Sequence, residues 1–198
     1  MEIQVLPNII TLENDNVLLR PLEITDIDHL LEFSLNEPEI WKFSLAQGSG
    51  KENMIKYISD AVLARASNKE YSFIVFDKIK NRYAGSTRFY DIQLAYKTIQ
   101  LGYTWYGKEF QGTGLNKNCK YLLLEYAFEI LELERVEFRA DNRNERSKAA
   151  MLSIGCKVDG VLRSNLPDNA GGRRDSIILS ILKDEWYTEI KENLKKKL

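Results

Sequence analysis

The segment Leu101-Gly-Tyr-Thr-Trp-Tyr-Gly-Lys-Glu-Phe-Gln-Gly-Thr-Gly-Leu-Asn116 decides the reading of this chain. An alternating aromatic strand runs into two closely spaced glycines, and an amphipathic helix follows at once. The first N–H groups of a helix lack intrahelical partners, and the macrodipole adds partial positive charge there. Glycines let the backbone approach a phosphate closely. Strand, glycine turn and helix start therefore make an anion site. Taken alone, the glycines also fit an ordinary helix start in which they relieve a tight turn. The segment lacks the Gly-Lys-Ser/Thr ending of a P-loop and the third glycine of a dinucleotide fingerprint.

A second strand, polar turn and helix recur at Arg139-Ala-Asp-Asn-Arg-Asn-Glu-Arg-Ser147. With both segments in view, the chain resembles the GNAT superfamily of acetyl-CoA-dependent N-acetyltransferases. In that family Gln/Arg-x-x-Gly-x-Gly/Ala opens the helix that grips the CoA pyrophosphate. Gln111, Gly114 and Asn116 occupy those positions, with Asn in place of the final small residue. The ribosomal-protein N-terminal acetyltransferase branch (RimJ/RimL type) is the nearer likeness. Its marks here are Gly102 to Trp105, Glu109 to Gly114, Asn144 to Ser147, and Gly155-Cys156. The resemblance runs from about Val17 to about Leu182, and residues 100 to 163 carry most of it.

The resemblance implies an α/β (α+β) fold whose mixed, mostly antiparallel sheet is splayed at the CoA site and flanked by helices. A chain of 198 residues fits one domain with a sizeable core. The expected domain covers 1–198, with a core at about 17–183 and a C-terminal helix at 184–198. A formal net charge of −1 argues against bulk nucleic-acid binding, which needs a basic face. Two cysteines are too few for a disulfide framework. No apolar run approaches a membrane span and no signal peptide is legible. A reduced, soluble, cytoplasmic protein is expected.

The periodicities predict a strand over Val17 to Pro21, then a helix with Thr25 as N-cap and Ile27, Leu30, Leu31 and Leu35 inward. Pro38 should end that helix. A second helix is predicted over residues 51 to 67, with Met54, Ile55, Ile58, Val62 and Leu63 inward. Tyr71 to Phe76 and Arg82 to Tyr90 read as an antiparallel hairpin, continued by residues 98 to 106. The helix after the glycines should bury Leu115, Cys119, Leu122, Leu123, Tyr126, Ala127 and Ile130. Arg135 to Ala140, residues 145 to 154, 157 to 166 and 174 to 182 follow as strand, helix, strand and strand. Lys195 to Lys197 suit a solvated helix end rather than a nucleic-acid patch.

For the site, the resemblance implies direct transfer of acetyl from CoA to a primary amine, with no metal. The pantetheine arm would lie between two splayed strands and use backbone groups of residues 104 to 106, so Trp105 and Tyr106 contribute main chain while their side chains pack. N–H groups from Gln111, Gly112, Thr113, Gly114, Leu115 and Asn116 would bind the pyrophosphate. Asn144 is either the cap of its helix or part of the cofactor wall, and the two roles are compatible. Many relatives carry Tyr seven residues after this Asn; here that residue is Met151, which donates no proton. Ser147 takes the place of the serine proposed as acid in the RimJ/RimL branch and would donate a hydrogen bond to the departing thiolate.

A glutamate that several relatives place before Gly-Tyr is Gln100 here, leaving Asp91 or Glu52 acting through water as candidate bases. Cys156 reads as a buried inert thiol and His29 as a solvated or capping residue. The acceptor groove is expected from the first two helices, Trp41 to Phe43, and residues 167 to 172. The acceptor is a protein N-terminus or a small amine, and a homodimer is the family's habit. Two rivals remain: a detoxifying acetyltransferase for aminoglycosides or polyamines, which needs an acidic groove, and a non-catalytic acyl-CoA-binding regulator.

Overall fold

Short polar turns between strands of alternating or continuous apolar character favour antiparallel neighbours, and these dominate the sheet. The computed structural model describes residues 6–198. Its strands are β1 (Leu12–Glu13), β2 (Val17–Pro21), β3 (Tyr71–Asp77), β4 (Arg82–Gln93), β5 (Thr98–Tyr106), β6 (Arg135–Asp141), β7 (Lys157–Pro167) and β8 (Arg173–Leu182). They form one eight-stranded sheet in the order β1-β2-β3-β4-β5-β6-β8-β7. Among the described strands only β5 and β6 are parallel, and the long crossover that a parallel pair needs is supplied by the helix between them. The mixed, mostly antiparallel, helix-flanked sheet expected from the sequence is present. The two-residue β1 has no counterpart in the expectations.

The helices are α1 (Ile27–Asn36), α2 (Lys51–Ala66), α3 (Leu115–Glu125) and α4 (Glu145–Ser153). At the C-terminus Lys183–Glu185, a π-helical turn Trp186–Ile190 and Lys191–Lys195 run on as one helix, α5. Successive strand residues point to opposite faces, and β5 shows which helices lie where. Trp105 packs among Phe33 of α1, Tyr57 of α2 and Trp41, while Tyr106 is buried on the other face, on the side of Cys119 of α3. So α1 and α2 cover one face and α3 the other. Trp186 of α5 is fully buried against Tyr121 and Phe128.

Several expected details are corrected. Thr25 does not cap α1: it sits inside a 3-10 turn, Ile24–Asp26. The entry is held by Asp26, whose carboxylate accepts the Glu23 N–H at 2.8 Å and pairs with Arg20 at 2.6 Å. The inward row of α1 is Leu30, Phe33 and Ser34, which turns Leu35 out to solvent. In α2 the row is Met54, Tyr57, Ile58 and Ala61, so Ile55 and Leu63 are exposed. After α3 the chain winds into a π-helical turn, Tyr126–Ile130, which shifts the stripe by a residue. Phe128 points inward there and Ile130 outward.

Two features of β5 set the geometry around the glycine turn. Ser86 pairs with Trp105 and Arg88 with Gly102, so three steps of β5 oppose two of β4. The extra residue is a bulge, and Tyr103 within it takes φ 49°. On the other side, β5 and β6 pair only at Thr98 to Gln100 with Arg135 to Glu137. Beyond Gln100 the two strands part, and the edge of β5 toward β6 has no strand beside it. Among the described residues no helix is long and apolar enough to cross a membrane.

Gly85 lies next to the bulge, opposite Tyr106, and a Cβ there would fall 2.1 Å from the Trp105 carbonyl oxygen. Gly85→Ala is therefore expected to cost about 3 kcal/mol in urea unfolding. Gly160→Ala, where a Cβ meets nothing within 4 Å, should stay within about 0.5 kcal/mol of wild type. Equal midpoints for the two variants would contradict this account of the bulge.

Candidate functional site

The turn between β5 and α3 is braced from below and open above. Phe110 is buried and anchors its start. Thr113 Oγ1 donates to the Phe110 carbonyl at 2.8 Å. Gly112 and Gly114 take φ 76° and 89°, and a Cβ on either would meet nothing within 4 Å. The glycines are thus demanded by backbone conformation, and the space over them is clear. The Gln111 N–H donates to Lys108, and those of Lys117 and Asn118 return to the Gly114 carbonyl. Among the described residues the N–H groups of Gly112, Thr113, Gly114, Leu115 and Asn116 donate to no protein acceptor. Five free donors on one turn at a helix N-terminus make a cradle for an anion.

Gln111 ties this cradle to its surroundings. Its Nε2 donates to the Tyr106 carbonyl at 2.7 Å, and its Oε1 accepts from Arg146 of α4 at 2.8 Å. The end of β5 and the start of α4 are held together in this way across the opening between β5 and β6. Trp105 and Tyr106 have buried side chains. Trp105 Nε1 donates to the Tyr57 hydroxyl at 3.2 Å. Burial pushes the Tyr106 phenol well above its usual range. Apart from the Tyr106 carbonyl, which Gln111 occupies, the main chain along the parted edge has no strand beside it.

At the start of α4, Asn144 Oδ1 accepts the Ser147 N–H at 3.1 Å, so Asn144 is the N-cap. Ser147 is half-buried one turn in, and Met151 is buried one turn further. The Cys156 N–H donates to the Met151 carbonyl at 3.2 Å. Burial pushes the Cys156 thiol up to about 12, as befits an inert group. Gln100 is buried and donates to Asp91 at 2.7 Å. Asp91 and Glu52 are both exposed, and so is His29, which stacks on Tyr83 at 4.2 Å. Among the described residues no group of three His, Cys, Asp or Glu side chains is disposed to hold a metal ion.

One residue enters the site without having been expected. Lys120 of α3 is buried, and its Nζ donates to Thr104 Oγ1 of β5 at 2.8 Å and to Thr87 Oγ1 of β4 at 3.3 Å. It also lies 5.9 Å from the ring centroid of Phe138 on β6. Desolvation lowers its ammonium to about 8. The only sequence signal was position: Lys120 shares the inward stripe of α3 with Leu123, Leu124 and Ala127.

An open groove of about 640 Å³ lies between Lys42-Phe43 and the β7–β8 loop, and Arg143, next to Asn144, forms part of its wall. Asn169 donates to the Ser44 carbonyl at 2.7 Å, tying the loop across. Arg143 pairs with Asp141 at 2.7 Å and with Asp168 at 3.2 Å. Its hydrogen bond holds the Asp141 carboxyl below the usual range. Arg174 is buried behind Phe43 and donates to its carbonyl. The residues around this groove and the small cavity beside it come from the 42–45 segment, the β7–β8 loop, Asp141, Arg143 and Arg174.

The sequence model of the acetyltransferase (GNAT) domain matches residues 16–157 of this chain. YdaF of Bacillus subtilis (strain 168), provisionally named a ribosomal N-acetyltransferase, is 36% identical over 105 residues. That match covers 53% of this chain and 56% of YdaF, little more than half of either. YjcK of the same organism, by name a probable N-acetyltransferase, is 28% identical over 176 residues, covering 86% of this chain and 96% of its own. A crystal structure from T. thermophilus, provisionally described as an acetyltransferase, superposes with TM-score 0.87 at 29% identity. The superposition covers 99% of this chain and all of that one (100%).

The capping geometry carries its own test. Asn144→Ala is expected to lose about 1 kcal/mol of unfolding free energy, and Asn144→Asp to stay near wild type, since aspartate caps equally well. Equal losses in chemical denaturation would show that the side chain does more than cap.

Proposed function

This chain belongs to the acetyltransferase (GNAT) domain family, and on that premise we propose that it transfers acetyl from acetyl-CoA to a primary amine at a protein N-terminus. The observation that carries the reading is the cradle of five undonated N–H groups at Gly112 to Asn116, set beside the unpaired edge of β5. These groups bind the pyrophosphate, each charge-assisted hydrogen bond contributing roughly 1.5–3 kcal/mol, while Gln111, whose own N–H is committed to Lys108, braces the turn. Main-chain groups of Thr104, Trp105 and Tyr106 hold the pantetheine arm as a neighbouring strand would. Asn144 caps α4 and forms part of the cofactor wall. Ser147 donates a hydrogen bond to the departing sulfur. The acceptor amine loses its proton to water, with Asp91 as the carboxylate nearest in reach of Gln100.

The charge of the groove bears on the acceptor. Asp141 and Asp168 are both committed to Arg143, and Lys42 and Arg174 add further positive charge. A groove of that balance repels aminoglycosides and polyamines, which are polycations. The name of YdaF points the same way, toward a ribosomal protein as acceptor. Cys119 and Cys156 are free and buried, which suits a reducing cytoplasm.

Calorimetric titration of acetyl-CoA into wild type and into folded Gly114→Val tests the reading. Wild type should bind, and the variant should lose at least about tenfold in affinity, the worth of one charge-assisted hydrogen bond. Thiol release from wild type should then rise with N-terminal peptides and not with spermidine. No binding by wild type, or release with spermidine alone, would refute the proposal.

A further inference from the structure

Lys120 is an uncommon object: a lysine inside the fold with no carboxylate to pair with among the described residues. Lysines are rarely buried without a partner, because the charged form pays heavily for leaving water. Its immediate surroundings are two hydroxyls that lie 2.7 Å apart, Thr87 of β4 and Thr104 of β5, and the Phe138 ring of β6. The titratable groups that bear on it are the thiols of Cys119 on its own helix and Cys156 after α4. Burial holds both thiols protonated, at about 12. No acid faces Lys120 from any of these elements.

Its location gives that isolation a purpose. Thr104 lies on the stretch of β5 beyond Gln100, where pairing with β6 has ceased, and Phe138 is the first residue of β6 beyond the last pair. The ammonium therefore bridges the two strands where they part. It is also about a turn and a half down α3 from the glycine cradle, on the helix's sheet-facing side. Resting on the acetyl-transfer reading above, we propose that Lys120 is a catalytic residue that gives its proton to the coenzyme sulfur as the thioester breaks.

The step balances. The amine nitrogen bonds to the acyl carbon and its proton passes to water in the groove. The C–S bond then breaks, its electron pair goes to sulfur, and the sulfur takes a proton from Lys120. The lysine is left neutral and regains a proton from solvent once the coenzyme departs. The acid strengths suit this. An ammonium of about 8 remains charged at neutral pH, yet matches a thiol of ordinary strength, about 8.5, so the transfer is nearly level. The two threonines orient the ammonium without neutralising it, and Met151 offers no competing proton.

The test uses the full chain and two ligands, CoA and desulfo-CoA, which lacks the sulfur. Wild type near pH 8 should bind CoA about tenfold more tightly, since the ammonium meets sulfur in one ligand and nothing in the other. Lys120→Met should lose most of that preference, keeping only the part that Ser147 supplies. A packing role for Lys120 would weaken both ligands alike and leave their ratio unchanged. Should the variant not fold, thiolate absorbance of CoA bound to wild type decides, and must appear at lower pH than for free CoA. Equal binding of both ligands by wild type, a ratio retained in Lys120→Met, or an unshifted thiolate titration would overturn the role of Lys120 while leaving acetyl transfer standing. Failure of wild type to bind either ligand would overturn both.

Discussion

Three residues of parallel pairing, Thr98 to Gln100 with Arg135 to Glu137, join the two halves of the sheet, and then the strands part. Each strand stays anchored on its outer side, β5 by β4 and β6 by β8. The opening is thus a wedge between two well-supported ribbons rather than a frayed edge. Backbone groups along a strand edge need partners, and in a closed sheet the next strand supplies them. Here the bulge at Tyr103 re-aims β5, Gly85 gives the room for that bend, and the helix after β5 carries the glycine cradle to the mouth of the wedge. An extended guest with an anion at one end fits a site so built.

The electrostatics follow the same geometry. The chain as a whole is close to neutral, at −1. Charge selectivity comes instead from local donors. Five amides converge at the cradle, Arg146 reaches across from α4, and Lys120 waits between the strands. The neighbouring groove adds Lys42 and Arg174, while Arg143 occupies its two carboxylates. Lys120 and Arg174 are buried, and in such low-dielectric surroundings a single hydrogen bond to an anion counts for more than it would in water.

What could be read from the chain was mostly local. The strand, glycine turn and helix at 101–116 were legible because alternation and positive-φ glycines are written within a few residues. Asn144 was legible for the same reason, since a cap needs only the Asn-x-x-Ser spacing. Helix faces were read less well. Leu35, Ile55 and Leu63 are apolar yet exposed, because Phe33 and Tyr57 took the inward rows as large aromatics. Ile130 failed through a π-helical turn that no periodicity announces. Thr25 lost the cap to Asp26 because Arg20, six residues earlier on β2, pins that carboxylate. Lys120 was invisible for a deeper reason. A lysine in an apolar stripe normally snorkels out, and only β4, β5 and β6 together turn it into a buried cation.

The most direct test of the account is amide hydrogen exchange, measured with and without saturating acetyl-CoA. If the parted edge of β5 and the cradle receive the coenzyme, the amides of residues 104 to 106 and 112 to 116 slow markedly on binding. The Thr98 to Gln100 amides, already paired in the sheet, should be unchanged. Protection confined to other segments, with residues 112 to 116 exchanging as fast as before, would contradict it.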